Sequence, residues 1–225
     1  MELERVITRD GSATLRVVGW DETYHSRHGA VRESEHVYLK NGILKALEIF
    51  TDRSPIRILE MGFGTGLNVL LAIGASLDFK GIKIEYHSID SYPIDVDTAK
   101  SLDYPSHLGR PQLESLFEKV HDAPWNYPQI IHDDFILHKV ETSIRDYIPE
   151  ARFDLFLYDA FGPRVQPELW NVDCFRKVKP WLRDGAFMVT YCAKGEVKRA
   201  MQSAGFKVEA LPGPPGKREM TRAWS

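Results

Sequence analysis

The stretch RILEMGFGTGLNVLLAIGASLDFKGIKIEYHSID, from Arg57 to Asp90, decides the fold of this chain. It predicts a strand, a glycine-rich turn, a helix and a second strand that ends on an acid. Gly62, Gly64 and Gly66 allow the backbone to turn sharply and bring its amides close to a ligand. Asp90 is placed to accept hydrogen bonds from ribose hydroxyls. The stretch therefore predicts a site for a nucleoside cofactor.

The spacing of these glycines, GxGxG, discriminates between cofactors. A dinucleotide loop usually reads GxGxxG and leaves the helix N-terminus free for a pyrophosphate. The tighter bend suits a small zwitterion, and Glu60 at the end of the first strand is placed to hold an ammonium group. We therefore expect S-adenosylmethionine. The alternative is a tight strand-to-helix turn without a ligand, but the preceding strand, the helix and the following acid favour the cofactor site.

Length and composition predict one globular domain with a small addition at its N-terminus. The chain has 225 residues, of which 43% are hydrophobic and 27% charged. We expect residues 1–33 to form a β-hairpin or lid and residues 34–225 to form the main domain. The longest apolar run, Leu67–Leu77, is shorter than the ~20 residues of a membrane span, and MELERVITRD lacks the apolar region of a signal peptide. Since the two cysteines also suit a reducing compartment, we expect a cytoplasmic protein without membrane contact.

Charge is distributed unevenly along the chain. Residues 164–225 contain 12 Lys and Arg against 6 Asp and Glu, and residues 1–163 contain 17 against 26. The two parts therefore carry about +6 and −9. A basic part of this kind can attract a polyanion such as a nucleic acid, although an ordinary solvated surface explains the charge equally well.

Strands and helices alternate after the glycine-rich turn, which predicts a doubly wound, Rossmann-like α/β sheet. FDLFLYD is apolar on both faces, as a central parallel strand should be. Ligands then bind at the carboxyl ends of the strands. The further predicted elements are helices at 34–50, 94–101 and 112–120 and strands at 135–140, 153–161, 185–193 and 206–211.

Asp159 ends the strand FDLFLYD, so its carboxylate is expected near the reactive end of the cofactor. An acid that only caps the next turn is the alternative. Phe161 and Trp170, with the two prolines between them, would form a rigid wall beside Asp159 and favour a functional role. The sequence contains no GxSxG, HExxH or Walker A motif, and its histidines are scattered. We expect no metal.

Four motifs together resemble one family. MGFGTGLN, DAFGPRVQPELW, TYCAKGEVKRAMQSAGF and PGPPGKREMTRA, in this order, are similar to the methyltransferase domain of the MnmC-type enzymes of tRNA wobble-uridine modification. ETYHS (22–26) and ESEHVYL (33–39) also match that family. The resemblance covers nearly the whole chain.

The resemblance implies a class I methyltransferase fold and N-methylation of 5-aminomethyl(-2-thio)uridine at the tRNA wobble position by S-adenosylmethionine. The residues expected to contact the tRNA substrate are Tyr24, Phe161, Gln166, Trp170, Lys194, Lys217 and Arg218. Gln166 stands where the family often has asparagine, which makes its contact less secure. We expect this chain to lack the FAD-dependent oxidase of the bifunctional members and to receive its aminomethyl substrate from upstream enzymes.

Asp159 is the predicted catalytic residue. A carboxylate of ordinary pKa is a poor base for an ammonium group, so we expect it to orient the amine and stabilise positive charge in the transition state. Glu60, the three glycines and Asp90 are the predicted cofactor residues, and Glu141 is preferred over Asp133 or Asp134 for the adenine end, because strand ends face the site.

Two other functions compete with this one. The first is a methyl- or aminopropyltransferase of a small amine, against which the basic C-terminal third argues. The second is a nucleotide-binding module without activity, against which the complete glycine loop and Asp159 argue.

Overall fold

The N-terminal residues form a small sheet of their own. The structure, a computed structural model, describes residues 2–20 and 22–225. Strands β1 (Leu3–Ile7), β2 (Ala13–Val17) and β3 (Glu22–Thr23) pair antiparallel in that order. This is the predicted N-terminal β addition, except that positions 1 and 21 of the segment 1–33 lie outside the described residues. Its role as a lid stays a prediction.

A helical segment connects this small sheet to the main domain. Helix α1 (Ala30–Ser34), a π-helix (Glu35–Ile43) and helix α2 (Leu44–Ile49) follow one another directly. The helix predicted at 34–50 begins earlier, at Ala30, so Ser34 does not cap its N-terminus and is buried inside it. A Cβ atom on Gly42 would lie 3.1 Å from the side chains of Leu157 and Val189. The glycine therefore lets the π-helix pack directly against the main sheet.

Eight strands form the main sheet. They are β4 (Ile56–Met61), β5 (Ile84–Asp90), β6 (Pro128–His132), β7 (Phe135–Glu141), β8 (Phe153–Tyr158), β9 (Leu182–Thr190), β10 (Lys207–Pro212) and β11 (Glu219–Trp224). The spatial order is β10-β11-β9-β8-β4-β5-β7-β6. Strands β7, β5, β4, β8 and β9 are parallel, and β6, β11 and β10 run antiparallel to their neighbours. The predicted doubly wound α/β fold is confirmed.

Helices cover both faces of the sheet. They are α3 (Leu67–Asp78), α4 (Val96–Lys100), α5 (Tyr104–His107), α6 (Glu114–Asp122), α7 (Val172–Val178) and α8 (Gly195–Ser203). Strand β8 shows why both faces need cover, since Leu155 and Leu157 pack into one hydrophobic cluster while Phe156 and Tyr158 pack into another. Alternate side chains of a strand point to opposite faces, so a central strand must be apolar throughout.

The predicted elements agree with these boundaries to within a few residues. Strands β6 and β11 and helices α5, α7 and α8 are absent from the prediction. In β11, four of six residues are buried, but Glu219 and Arg222 interrupt the apolar pattern that predicts a strand. No helix among the described residues has the length and apolarity that membrane crossing requires.

A buried carboxylate fastens the central strands at the edge of the sheet opposite their carboxyl ends. Asp154 in β8 is fully buried and accepts the Arg57 backbone N–H at 2.8 Å. It also pairs with the guanidinium groups of Arg53 and, at 3.0 Å, of Arg183. Removing the partners of a buried, ion-paired carboxylate destabilises the fold, because the charge is left uncompensated. Removing the carboxylate leaves the arginines without their partner and destabilises the fold in the same way.

We therefore expect Asp154→Ala to lower the free energy of unfolding by about 3–5 kcal/mol, because it leaves two partly buried guanidinium groups and a backbone N–H group without their partner. Denaturant titration measures this loss. Asp173→Ala is the control, since the Asp173 side chain is 84% exposed and its ion pair with Arg176 lies on the surface. Equal stabilities of the two variants would contradict the proposed role of Asp154.

Candidate active site

A cavity of about 610 Å³ opens at the carboxyl ends of the central strands. It lies where the sheet changes direction, because the chain runs from β4 outwards to β5 and β7 and then returns to β8 on the other side of β4. Such a switch point is the usual ligand site of an open α/β sheet. Gly62, Gly64, Asp90 and Asp159 all line the cavity.

Gly62 allows the ends of β4 and β8 to approach closely. Its φ is 90°, and a Cβ atom there would lie 2.6 Å from the carbonyl oxygen of Asp159. The Gly62 N–H donates to Ile89 O at 2.9 Å, and the Asp159 N–H donates to Met61 O at 3.1 Å. Because Gly62 has no side chain, the turn can lie directly against the end of the strand that carries Asp159.

The other two glycines, Gly64 and Gly66, pack against different neighbours. Gly64 lies against the Tyr24 ring, with a hypothetical Cβ atom 3.1 Å from Tyr24 Cδ1. Gly66 is not among the described residues that line the cavity. A Cβ atom on Gly66 would lie 2.8 Å from His121 Nε2. Gly66 is the N-cap residue of α3 and has a positive φ of 74°. Gly66 thus permits packing of the turn against the buried His121 ring, away from the cavity.

Asp90 is organised by backbone donors. Its two carboxylate oxygens accept N–H groups of Gly64 at 2.9 Å and Tyr92 at 2.8 Å. Burial raises the pKa of Asp90, and these N–H groups oppose that effect. Each carboxylate oxygen has two lone pairs, so both retain capacity for a further donor such as a ribose hydroxyl.

The residues predicted for the adenine end lie outside the cavity lining. Glu141 pairs with Asp90 in register at the end of β7, but it is exposed, and the next residues, Thr142 and Ser143, line the cavity instead. Asp133 and Asp134 lie between β6 and the start of β7, at the opposite edge of the sheet. Of these three acids, Glu141 is therefore the one at the carboxyl end of a strand, next to residues that line the cavity.

Asp159 is held at the reactive end of the cavity by two side chains. Tyr38 Oη donates to Asp159 Oδ1 at 2.6 Å, and Asn68 Nδ2 donates to Asp159 Oδ2 at 2.9 Å. Burial raises the pKa of Asp159 to about 7, although both hydrogen bonds and the Lys217 ammonium favour its charged form. The expectation of an ordinary pKa for Asp159 is wrong because the carboxyl is buried.

Aromatic residues from two parts of the chain form the mouth of the cavity. Tyr24 and Phe161 meet edge to face with ring centroids 5.1 Å apart, and Trp20 approaches Phe161 at 5.9 Å. Trp20 is 41% exposed and lines the cavity. The Trp170 indole is buried and donates to Phe161 O at 2.8 Å, so it supports this wall from behind. The mouth therefore offers apolar ring faces and edges to a planar ligand.

Lys217 lines the cavity, and its positive charge acts on Asp159. Its ammonium group lies 2.6 Å from Glu33 Oε1 and 4.1 Å from the centre of the Tyr191 ring. The contact joins the loop between β10 and β11 to helix α1. Gln166 also lines the cavity, whereas Lys194 and Arg218 do not line it and have exposed side chains. The structure thus brings Lys217 and Gln166 to the site and leaves the other two basic residues on the surface.

Several residues of the site are missing from the sequence prediction. Tyr38 and Asn68 hold Asp159, Trp20 and His25 line the cavity, and Glu33 holds Lys217. Asn68 stands in the GFGTGLN motif in the first turn of α3, so the turn itself offered a signal. Burial lowers the pKa of His25 to about 4, which makes it neutral at pH 7.

The residues present fit S-adenosylmethionine. The cavity volume lies in the range of ligand pockets, about 300–1,000 Å³. Side-chain-free backbone at Gly62 and Gly64 lies next to the Asp90 carboxylate, as an amino-acid chain and a ribose require. Asn68 Oδ1 is buried without a protein partner in the same wall. Among the described residues there is no cluster of three or more potential metal ligands.

Comparison with known proteins finds similarity to methyltransferases. Residues 123–225 match the family described as S-adenosyl-L-methionine-dependent methyltransferase. The tRNA 5-methylaminomethyl-2-thiouridine biosynthesis bifunctional protein MnmC of Cupriavidus metallidurans is 31% identical over 230 residues, which are 98% of this chain and 33% of the relative. The protein of the same name from Paraburkholderia xenovorans is 28% identical, covering 89% of this chain and 32% of the relative. The chain thus spans about a third of the length of these relatives.

A solved structure agrees with these matches. The crystal structure of MnmC2 from Aquifex aeolicus superposes with a TM-score of 0.77 and 25% identity, over 99% of this chain and 70% of that one. The predicted resemblance to MnmC-type proteins is confirmed. The predictions of a methyltransferase and of S-adenosylmethionine as its cofactor are confirmed with it.

Gly62→Ala tests the close approach between the ends of β4 and β8. We expect it to weaken S-adenosylmethionine binding at least about ten-fold, measured by calorimetry, because the new Cβ atom displaces the Asp159 backbone. Gly81→Ala is a matched control, since Gly81 has a similar φ of 84° but no atom within 4 Å of its Cβ position. Similar binding by both variants would show that the collision does not matter.

Proposed function

We propose that this methyltransferase transfers a methyl group from S-adenosylmethionine to the primary amine of 5-aminomethyl(-2-thio)uridine at the wobble position of tRNA. The observation that carries the proposal is that one cavity joins Gly62, Gly64 and Asp90 to a partly buried carboxylate, Asp159. The first group of residues suits a nucleoside cofactor, and the carboxylate suits an amine. The names of the relatives supply the class of substrate.

When bound, S-adenosylmethionine supplies a methyl group on a positively charged sulfur. Asp159 attracts the substrate amine to the same end of the cavity, where its oxygens are oriented by Tyr38 and Asn68. A fixed carboxylate places the amine in line with the methyl group and removes the entropy cost of that alignment. It also stabilises positive charge as the charge develops on nitrogen.

The raised pKa of Asp159 also allows it to accept a proton from the substrate amine. An amine that resembles lysine has a pKa near ~10.4 and must lose a proton before it can attack. A carboxyl with a pKa of about 7 is a better proton acceptor than an aspartate in water, so Asp159 can take this proton as well as orient the nitrogen. The cavity therefore supports both roles for one side chain.

The mouth of the cavity suits a base from a single-stranded loop. RNA bases in loops are unstacked, and proteins recognise them by stacking on aromatic side chains. Trp20, Tyr24 and Phe161 form such an aromatic mouth. Arg218 on the exposed loop between β10 and β11 is then available for the phosphate backbone.

Methylation of tRNA from cells that lack the final methyl group tests the substrate. We expect labelled S-adenosylmethionine to yield labelled 5-methylaminomethyl(-2-thio)uridine, identified by reverse-phase analysis of the nucleosides. Transfer RNA that already carries the methyl group is the control and should accept little label. Label on small amines but none on the unmethylated tRNA would contradict the proposal.

Asp159→Asn separates turnover from cofactor binding. We expect kcat to fall at least about 100-fold while the Kd for S-adenosylmethionine changes less than about three-fold, because the amide cannot accept a proton from the amine or neutralise its charge. Asp173→Asn, on the surface, is the control. Equal losses of turnover and affinity in Asp159→Asn would assign Asp159 to cofactor binding.

A further inference from the structure

Glu60 lies beneath the site and not in its wall. It is fully buried at the end of β4, and it is not among the described residues that line the cavity. Ser88 on the neighbouring strand β5 donates its hydroxyl to Glu60 Oε2 at 2.6 Å. A carboxyl in this position cannot reach a ligand in the cavity without passing its own neighbours, so it needs another explanation.

Among the described residues, three neighbouring buried polar atoms have no hydrogen-bond partner of good geometry. They are Glu60 Oε1, Asn68 Oδ1 and Tyr86 Oη. Asn68 and Tyr86 lie close enough to the Glu60 carboxyl to favour its charged form by hydrogen bonding, but burial has the larger and opposite effect on its pKa. Two of the three atoms, Glu60 Oε1 in an ionised carboxylate and Asn68 Oδ1, are acceptors only, and the one remaining donor is the Tyr86 hydroxyl. With an ionised Glu60 the group has too few donors, and each unsatisfied buried polar atom is unfavourable.

Asn68 connects this group to the site. Its Nδ2 atom donates to Asp159 Oδ2 at 2.9 Å, and its amide also interacts with Glu60. The fully buried Glu60 carboxyl and the partly buried Asp159 carboxyl therefore share one amide, and the charge of Asp159 disfavours that of Glu60. Since both cannot be ionised at low cost in the interior, one of them should carry a proton.

We propose that Glu60 is a neutral carboxylic acid in the working enzyme, and that its O–H group supplies the missing donor and fixes Asn68 so that Nδ2 faces Asp159. Glu60 is then a positioning residue that acts through Asn68 and does not contact the cofactor. The groups that face it are Ser88 and Tyr86 of β5, Asn68 of α3 and Asp159 after β8. Burial raises the pKa of Glu60 to about 8, and the neighbouring Asp159 charge acts in the same direction, which agrees with Glu60 as the site of the proton.

Infrared spectroscopy at pH 7 tests the protonation without any activity. Surface carboxyls are ionised at this pH, so a neutral buried acid gives a separate carbonyl band. Asp159, with a pKa of about 7, also contributes to this band. We therefore expect Glu60→Gln to lose the larger part of the wild-type band and Asp159→Asn to keep most of it. The absence of the band in the wild type, or a band of wild-type intensity in Glu60→Gln, would overturn the proposal.

Kinetics test the positioning role, which rests on the proposed function. We expect Glu60→Leu to lower kcat at least about ten-fold with little change in the Kd for S-adenosylmethionine, and Glu60→Gln, which keeps a donor, to restore kcat to within about three-fold of the wild type. A ten-fold weaker cofactor affinity of Glu60→Gln would instead assign an ionised Glu60 to the cofactor. If Glu60→Leu does not fold, Glu60→Gln and the infrared result decide. If tRNA proves not to be the substrate, the infrared result and the affinities still stand.

Discussion

The close approach of the ends of β4 and β8 is the constraint on which the site depends. Gly62 meets the backbone of Asp159 where a Cβ atom would come within 2.6 Å of a carbonyl oxygen. The two parallel strands can then end side by side, with the turn of one next to the carboxylate of the other. In the proposed function the glycine turn serves the cofactor and Asp159 serves the amine, so this backbone contact would set the distance between the two halves of the reaction.

Burial then determines the chemistry of the carboxylate. Asp159 has no ion pair among the described residues, and neutral donors, Tyr38 and Asn68, hold it instead. Removal from water disfavours its charge, which is why its pKa is raised to about 7 despite two hydrogen bonds and the influence of Lys217. A buried carboxylate without a neutralising partner attracts cations strongly. Both the sulfonium donor and an ammonium acceptor carry that charge, so the same feature serves both.

Local signals in the sequence predict the parts of this site that one turn or one strand end determines. The glycine turn, Asp90 and Asp159 are of this kind, because each follows an apolar strand. Tyr38 and Asn68 are not, since they lie 121 and 91 residues from Asp159 in the chain and meet it only through the packing of helices on the sheet. Glu60, Gly66 and Trp170 stand in the expected motifs, but a motif does not say which way a side chain points. All three face the interior or the back of the site wall.

The N-terminal addition contributes part of the cavity wall. Tyr24 contacts Gly64 and Phe161. Glu33 of α1 accepts a hydrogen bond from Lys217, which lies near the C-terminus of the chain. The π-helix that follows packs tightly on the sheet at Gly42, and four residues earlier it presents Tyr38 to Asp159. A shift of this helical segment would therefore change the contacts of Asp159 and of Lys217 together. Occupation of the aromatic mouth and the position of the carboxylate are thus physically linked, which favours a substrate that fills both.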